Sequence, residues 1–205
     1  MNELLQWSIQ NSDAGRDPSQ SQHATRGLSA DALAQLFGGP SDADRMRDAM
    51  VAVVSPDVDL ENKLIAFDNF EQLVENIDNA NNIEPLGLWG PLIKQLENEE
   101  KELRRMAAWC AGTAVQNNPK AQERLLAAGG VPILVNLVVN DADQGVRKKA
   151  ILALSSVIRN YQPGLDIALE HLPDEYKSEE KIDAGDMEAV DSIIQKLRDA
   201  SSQKG

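Results

Sequence analysis

The stretch GGVPILVNLVVN, residues 129–140, places two glycines and a proline directly in front of a dense apolar run. Proline is tolerated in the first turn of a helix, where its missing N–H would have no partner, and a preceding glycine lets the chain turn sharply. The pattern therefore predicts that Pro132 begins a helix. The same arrangement occurs in GLWGPLIKQLEN (87–98), where Pro91 lies 41 residues before Pro132. This separation indicates a repeat.

A second pair of segments carries the same repeat. LRRMAAWCAGTAVQNNP (103–119) and VRKKAILALSSVIRNYQP (146–163) align at a separation of 43 residues. Upstream, LENKLIAFDNFEQLVENI (60–77) has apolar residues at helical spacing, and no stretch alternates as a half-buried strand would. Helical units of roughly 40 to 47 residues are typical of armadillo and HEAT repeats, which stack to bury a shared core.

We therefore predict an all-α fold, an armadillo-like right-handed superhelical solenoid with a flexible N-terminal segment. The repeats are expected at about residues 58–98, 100–140 and 143–201, the first of them degenerate and the last ending in a cap. Small residues such as Gly112 and Ala150 are expected to let neighbouring helices approach closely.

The composition indicates one aliphatic domain with a protein as its partner. Of the 205 residues, 42% are hydrophobic and only 4% aromatic, and the formal net charge is -13. Binding to nucleic acid or to an anionic membrane needs clustered Lys and Arg, so this charge argues against both. Cys110 is the only cysteine, which suits a reducing compartment. With no secretory pattern at the start of the chain, we expect a cytoplasmic monomer.

The first 27 residues form the predicted flexible segment, followed by a core over residues 28–205. Residues 11–27 contain no Leu, Ile, Val or Phe, so they cannot bury enough apolar surface to order themselves. Residues 3–10, ELLQWSIQ, nevertheless carry four apolar side chains: Leu4, Leu5, Trp7 and Ile9. They form either a short amphipathic helix that docks on the core or an extended peptide that a chaperone would take for an unfolded client.

Catalytic chemistry has little support. The sequence has no glycine-rich phosphate loop and no H-E-x-x-H motif, and its only histidines are His23 and His171. A dyad of Cys110 and His171 is conceivable, but Cys110 lies in an apolar helical run, where an inert buried thiol is the expected state. We predict no catalytic residue, no metal site and no cofactor.

Polar, uncharged side chains cluster after the helix at 60–77. Residues 76–89, NIDNANNIEPLGLW, place four asparagines around Ala80. Turn and cap chemistry explains part of this composition, because Asn tolerates left-handed backbone and caps helices. Asparagines recur at the ends or faces of later helices, so the alternative is a polar groove that faces another protein.

Trp109 lies where armadillo repeats often carry a tryptophan on the concave face. Import-type repeats place an asparagine four residues later to hold the backbone of a peptide, but here that position is Thr113, and Ser156 in the next repeat. Peptide binding of the import type is therefore not favoured. The other interpretation is that Trp109 packs between helices.

Longer strings resemble one family over nearly the whole chain. LLQWSIQNSD, LFGGPSDAD, PDVDLENKLIAFDNFEQLVENIDNANNIEPLGLW and AAWCAGTAVQNNPKAQERLL are similar to the Fes-type nucleotide exchange factors of fungi. The resemblance implies a cochaperone that binds the ATPase domain of the seventy-kilodalton heat-shock chaperone and promotes ADP release. It also implies that residues 1–27 imitate a client and help to clear the peptide site. A short acidic tail replaces the full fourth repeat of longer relatives.

The candidate contacts with the chaperone are polar or acidic residues and one small residue: Glu71, Glu75, Asp78, Asn79, Ala80, Asn81, Asn82, Asn117, Asn118, Asn136, Arg159 and Asn160. The alternative function is an armadillo adaptor that binds a linear peptide motif.

Overall fold

The computed structural model describes residues 38–177 and 181–204. The client-like segment with Leu4, Leu5, Trp7 and Ile9 lies outside these ranges, so its predicted role stays a prediction. The chain divides into two units, Met1–Ser41 and Asp42–Gly205, and all helices described below belong to the second.

Every regular element in the described residues is helical, which confirms the predicted all-α class for these ranges. The α-helices are α1 (Asp42–Val54), α2 (Leu60–Val74), α3 (Ile77–Asn82), α4 (Trp89–Gln95), α5 (Lys101–Val115), α6 (Pro119–Ala127), α7 (Gly130–Asn140), α8 (Gln144–Ile158), α9 (Gln162–His171) and α10 (Met187–Gln203). A 3-10 turn at Asp174–Tyr176 follows α9.

The glycines and proline at 129–132 start a helix, as predicted. Gly129 has φ 77°, a left-handed conformation that glycine adopts without strain, and Pro132 lies in the first turn of α7. Pro91 has the same place in α4. The punctuation of the sequence therefore marks where successive units change direction.

Three helices of 15 residues, α2, α5 and α8, form the spine of the second unit. Helix α5 packs between α2 and α8, and its contact with α8 is the most extensive in the described residues. A Cβ added at Gly112 would lie 2.9 Å from the Cα of Ala153, so the two backbones approach as closely as a glycine allows. The prediction that small residues permit close packing is confirmed at this contact.

A buried arginine joins the last helix to the spine. The Arg147 side chain is 1% exposed and donates to the carbonyl oxygens of Asp141 (2.9 Å), Ala142 (3.0 Å) and Ser201 (2.9 Å). Its Nε also donates to Ser201 Oγ at 3.1 Å. Asp141 follows the end of α7 and Ser201 lies in the last turn of α10, so the cation sits at the negative ends of two helix dipoles.

The same arrangement occurs one unit earlier, at Arg104. Its Nη1 donates to the carbonyl oxygens of Asn98 and Glu99, both at 2.8 Å, which correspond to the two backbone acceptors of Arg147 in the 43-residue register. Its Nε reaches forward to Asp141 Oδ2 at 2.7 Å. Each arginine thus holds the loop before its own helix and a group in the next unit.

Helix α10 covers the C-terminal end of the stack. It buries Val190, Ile193, Ile194 and Leu197 and contacts α7 and α8, while its other face is polar. Among the described helices, none is by itself long and apolar enough to cross a membrane, although α6 and α7 pass that test as a pair bent by 84°.

Candidate functional site

A groove with a volume of about 280 Å³ runs between α5 and α8. Its lining side chains are Trp109, Thr113, Gln116 and Asn117 from the α5 side and Lys149, Leu152, Ser156 and Arg159 from the α8 side, with small residues at its floor. The lining residues of α5 and α8 recur every three or four positions, so they occupy one face of each helix. The spine helices therefore create the groove by packing side by side.

The groove differs in charge from the rest of the protein. Among the residues that the structure describes, the charged ones in its lining are Lys149 and Arg159 and none is acidic, although the whole chain carries a net charge of -13. The charges in the described lining are therefore cationic, although the protein as a whole is acidic.

Lys149 lies on the face of an aromatic ring. Its Nζ is 3.3 Å from the centroid of the Trp109 ring, which is a close cation–π contact. Burial lowers the pKa of Lys149, and the nearby carboxylate of Glu71 partly opposes that shift. Trp109 is half-buried, and both its ring and Lys149 line the groove.

Arg159 closes the C-terminal end of the groove. It forms an ion pair with Asp191 of α10, and its Nε donates to Ser155 Oγ at 3.0 Å. Its Nη1 lies 3.5 Å from the sulfur of Met187. Helix α10 therefore fixes the position of this guanidinium and neutralises much of its charge.

Glu71 lies behind the groove rather than in it. Its side chain is 5% exposed, and its Oε1 accepts a hydrogen bond from Thr113 Oγ1 at 2.7 Å. The bond ties α2 to α5 across the stack. Glu71 is thus a structural carboxylate, whereas Glu75, which caps the end of α2, is exposed.

The asparagine-rich segment 78–82 forms most of the short helix α3. Asn79 is buried, and its Nδ2 donates to Asp42 Oδ2 and to the carbonyl oxygen of Leu73, both at 3.0 Å. Ala80 is 2% exposed, so a large substitution there tests packing rather than partner contact. Asp78 is exposed, and Asn81 and Asn82 are half-buried.

The later asparagines serve mainly as caps and turns. Asn117 and Asn160 have φ values of 52° and 53°, left-handed conformations that asparagine tolerates better than most residues. Asn118 is 3% exposed, and its side chain accepts from the Ala121 N–H to start α6. Asn136 lies on an exposed face of α7, where it accepts a hydrogen bond from Asn140, and does not line the groove.

The structure thus brings only Asn117 and Arg159 of the predicted contacts into the groove. Five further lining residues were not among the predicted contacts, although the repeat register of the sequence points to some of them: Thr113, Gln116, Lys149, Leu152 and Ser156. In the 43-residue register, Thr113 pairs with Ser156 and Gln116 with Arg159, which places both pairs on one continuous face.

Cys110 has the inert environment that its sequence context predicts. It is fully buried, and its Sγ lies 3.7 Å from the carbonyl oxygen of Phe67. Burial raises the pKa of the thiol well above its ordinary value. His171 is exposed on α9 and lies 2.9 Å from the carbonyl oxygen of Ile167 in its own helix. Neither residue lines the groove.

Two family models match consecutive parts of the chain. The model described as nucleotide exchange factor Fes1 matches residues 1–83, and the SIL1/FES1/HPBP1 C-terminal domain matches residues 79–171. Together they span most of the sequence.

Curated fungal proteins are similar to this chain, two of them over nearly their full length. The Hsp70 nucleotide exchange factor FES1 of Gibberella zeae is 52% identical over 203 residues, which cover 97% of this chain and 95% of that protein. The protein of the same name from Coccidioides immitis is 52% identical over 205 residues, 97% of each chain. Hsp70 nucleotide exchange factor fes-1 of Neurospora crassa is 50% identical over 88% of this chain and 77% of its own.

Solved structures similar to this chain include designed armadillo repeat proteins. The designed armadillo repeat protein YIII(Dq)4CqI aligns with a TM-score of 0.56 at 20% identity, over 62% of this chain and 52% of its own. The designed protein YIII(Dq.V1)4CPAF, in complex with the peptide (KR)4, aligns with a TM-score of 0.56 at 19% identity, over 78% of this chain and 70% of its own. These likenesses confirm the armadillo-like solenoid.

Proposed function

The chain belongs to the Fes1 family of nucleotide exchange factors, and on this premise we propose that it promotes ADP release from a seventy-kilodalton heat-shock chaperone by binding the ATPase domain of that chaperone. The observation that carries the proposal is the pair of family matches over residues 1–83 and 79–171. Family members are regulators rather than catalysts, so the activity is not expected to depend on a reactive side chain.

Linkage explains how binding alone releases a nucleotide. A partner that binds the open form of the nucleotide cleft better than the closed form must weaken nucleotide binding by the same factor. A hundredfold weakening requires about 2.7 kcal/mol of differential binding. A preformed rigid surface supplies this difference, because it fits one arrangement of its partner and not the other.

We assign the partner surface to the groove between α5 and α8 and to the adjoining ends of the spine helices. Glu75, Gln116 and Arg159 are the C-cap residues of α2, α5 and α8, and in the 43-residue register Gln116 pairs with Arg159. Glu75 and Asp78 are exposed, so we retain them as contacts beside the groove. Asn79 and Asn118 are used within the fold and are not proposed as contacts.

A matched pair of exposed apolar residues tests the surface. Leu152 is 50% exposed and lines the groove, whereas Val51 is 64% exposed on α1 and does not line it. In a stopped-flow assay of fluorescent ADP release from the full-length chaperone, Leu152→Asp should raise the concentration needed for half-maximal acceleration, and Val51→Asp should not. Unchanged acceleration by a folded Leu152→Asp protein would exclude the groove. No acceleration by the wild-type protein would reject the exchange activity itself.

The client-like segment is proposed to act on a different step. Deleting residues 1–27 should leave ADP release intact and slow the release of a labelled peptide client, because Leu4, Leu5, Trp7 and Ile9 would no longer compete for the peptide site. The control exchanges these four residues for serine in the full chain. Equal rates of client release for wild-type and both variant proteins would contradict this role.

The protein is further proposed to act as a cytoplasmic monomer, which its single cysteine and acidic charge support. Light scattering after gel filtration and fractionation of the native cell test these two points. An adaptor for basic peptides is not favoured as a second function, because a basic ligand would meet Lys149 and Arg159 in a groove whose described lining residues include no carboxylate.

A further inference from the structure

Lys149 is one of two cations in the described lining of the groove. The sequence has 33 acidic and 20 basic residues, so carboxylates outnumber cations. Even so, among residues 38–177 and 181–204 no carboxylate forms an ion pair with Lys149, whereas Arg159 at the end of the same groove is paired with Asp191. Within the described residues, Lys149 can therefore accept an anionic partner, whereas Arg159 already has one.

The position of Lys149 favours an incoming anion. Its ammonium lies over the Trp109 ring, and burial has already removed part of its hydration, as the lowered pKa indicates. A partly desolvated charge gains more from an opposite charge than a fully hydrated one does. Glu71, whose charge opposes that shift, is 5% exposed and accepts a hydrogen bond from Thr113. A carboxylate of another protein would approach the ammonium from the groove, on the side away from the Trp109 ring.

The surroundings of Lys149 add an apolar requirement. Leu152 follows it by three residues on α8, so the two side chains lie on the same face of the helix, and Leu152 is 50% exposed. Ser156 of α8 adds a hydroxyl group to the lining, and the Thr113 hydroxyl across the groove, which donates to Glu71, can still accept a hydrogen bond. The chemistry that fits is a carboxylate side chain followed closely by an apolar one, with a polar backbone beside them.

We propose that Lys149 binds a carboxylate side chain of the chaperone's ATPase domain, and that Leu152 contacts an apolar residue next to that carboxylate. This inference rests on the proposed function and specifies the chemistry of the partner surface. It assigns to Lys149 the role of a specificity-determining residue, since a neutral or basic surface would leave its charge unpaired.

A charge series at one position tests the inference. Lys149→Glu should weaken binding of the full-length protein to the purified ATPase domain by about tenfold or more, and Lys149→Gln should weaken it less. Lys149→Arg keeps the charge and should stay within about threefold of wild type. The matched control is Lys148→Glu, because Lys148 is exposed, lies outside the groove lining and changes the net charge equally. If Lys148→Glu and Lys149→Glu lose the same affinity for the ATPase domain, the effect comes from the net charge of the protein and the proposal is overturned.

A zero-length carbodiimide cross-linker supplies an independent readout. It joins a lysine amine to a carboxylate with loss of water, so wild-type protein should give a peptide in which Lys149 is linked to an Asp or Glu of the ATPase domain. Lys149→Arg should bind but lose this cross-link. The contact would be refuted if only other lysines cross-link to the ATPase domain and Lys149→Gln binds that domain as tightly as the wild type does.

The ADP-release assay separates the two levels of failure. If wild-type and Lys149→Glu proteins accelerate release with the same half-maximal concentration, the carboxylate contact is wrong and the exchange function stands. If the wild-type protein does not accelerate release, the proposed function is wrong and the contact with this partner falls with it.

Discussion

Replacing Arg147 by methionine should destabilise the protein strongly, because the guanidinium is buried and all its hydrogen bonds serve the backbone or a hydroxyl group. Methionine retains most of the apolar stem and removes the donors. The substitution leaves unpaired the carbonyl oxygens of Asp141, Ala142 and Ser201 and the hydroxyl of Ser201. Arg147 is 1% exposed, so water does not replace these donors without local opening.

The expected loss follows from these four hydrogen bonds. At about 1 kcal/mol for each bond, the loss is about 4 kcal/mol. Removing the buried cation, which pairs with no carboxylate among residues 38–177 and 181–204, recovers part of its desolvation penalty, so we expect a net loss of about 2 to 3 kcal/mol. This is a large fraction of the roughly 5 to 15 kcal/mol that stabilises a typical domain.

Urea denaturation followed by circular dichroism measures this effect. The midpoint should fall with little change in the slope, and a protein truncated before α10 should show much less additional loss on the same substitution, since two of the four acceptors belong to Ser201. Arg198→Met is the control, because Arg198 is exposed on α10 and should change stability by less than about 0.5 kcal/mol. A loss below about 1 kcal/mol for Arg147→Met would refute the assigned role of its hydrogen bonds.

Three further predictions concern packing, pH and thiol chemistry. Gly112→Ala should lower the melting temperature by several degrees, since its Cβ would lie 2.9 Å from the Cα of Ala153 and the α5–α8 contact would have to widen; Gly90→Ala, where nothing lies within 4 Å, should be neutral or stabilising in the same thermal scan. The pKa of Asp143 is lowered below its ordinary value of 3.8, chiefly by a backbone hydrogen bond at the start of α8, so its contribution to stability is present above pH 3.8 and is lost as the pH falls through the folded-state pKa. The difference in free energy of unfolding between wild type and Asp143→Ala should therefore be constant near neutral pH and shrink in acid, and a pH-independent difference would contradict this cause. Cys110 should resist alkylation by iodoacetamide in the native protein at pH 8 and react fully in urea, because the thiol is buried and its pKa is raised; rapid native labelling would show that the helix around it opens.

The candidate site was only partly predictable because similar asparagines have different tertiary environments. Asn79 and Asn118 are buried and hydrogen-bonded within the fold, whereas Asn117 and Asn160 adopt left-handed turns at equivalent positions of two units. Sequence spacing identified the turn chemistry correctly in outline. It could not tell which side chains face solvent, since burial depends on the helices that pack from other units.

The helices, their order and their repeat follow from the sequence alone. Helix periodicity, the glycine and proline at the start of α7, and the 43-residue register are local or repetitive features, and they act before any distant contact forms. The same local context predicted that Cys110 is buried and inert. These features determine an all-α solenoid.

Only the tertiary structure decided which groups meet between units. Lys149 reaches the ring of Trp109 because α5 and α8 pack side by side, and Arg147 reaches Ser201 because α10 folds back onto the stack. The partners in the first pair are 40 residues apart and those in the second are 54 apart, so a local sequence pattern, which spans one helix, does not relate the two partners of either pair. Helix stacking thus brings Lys149 and Arg159 to one groove, and it also brings to them the carboxylates of Glu71 from α2 and Asp191 from α10.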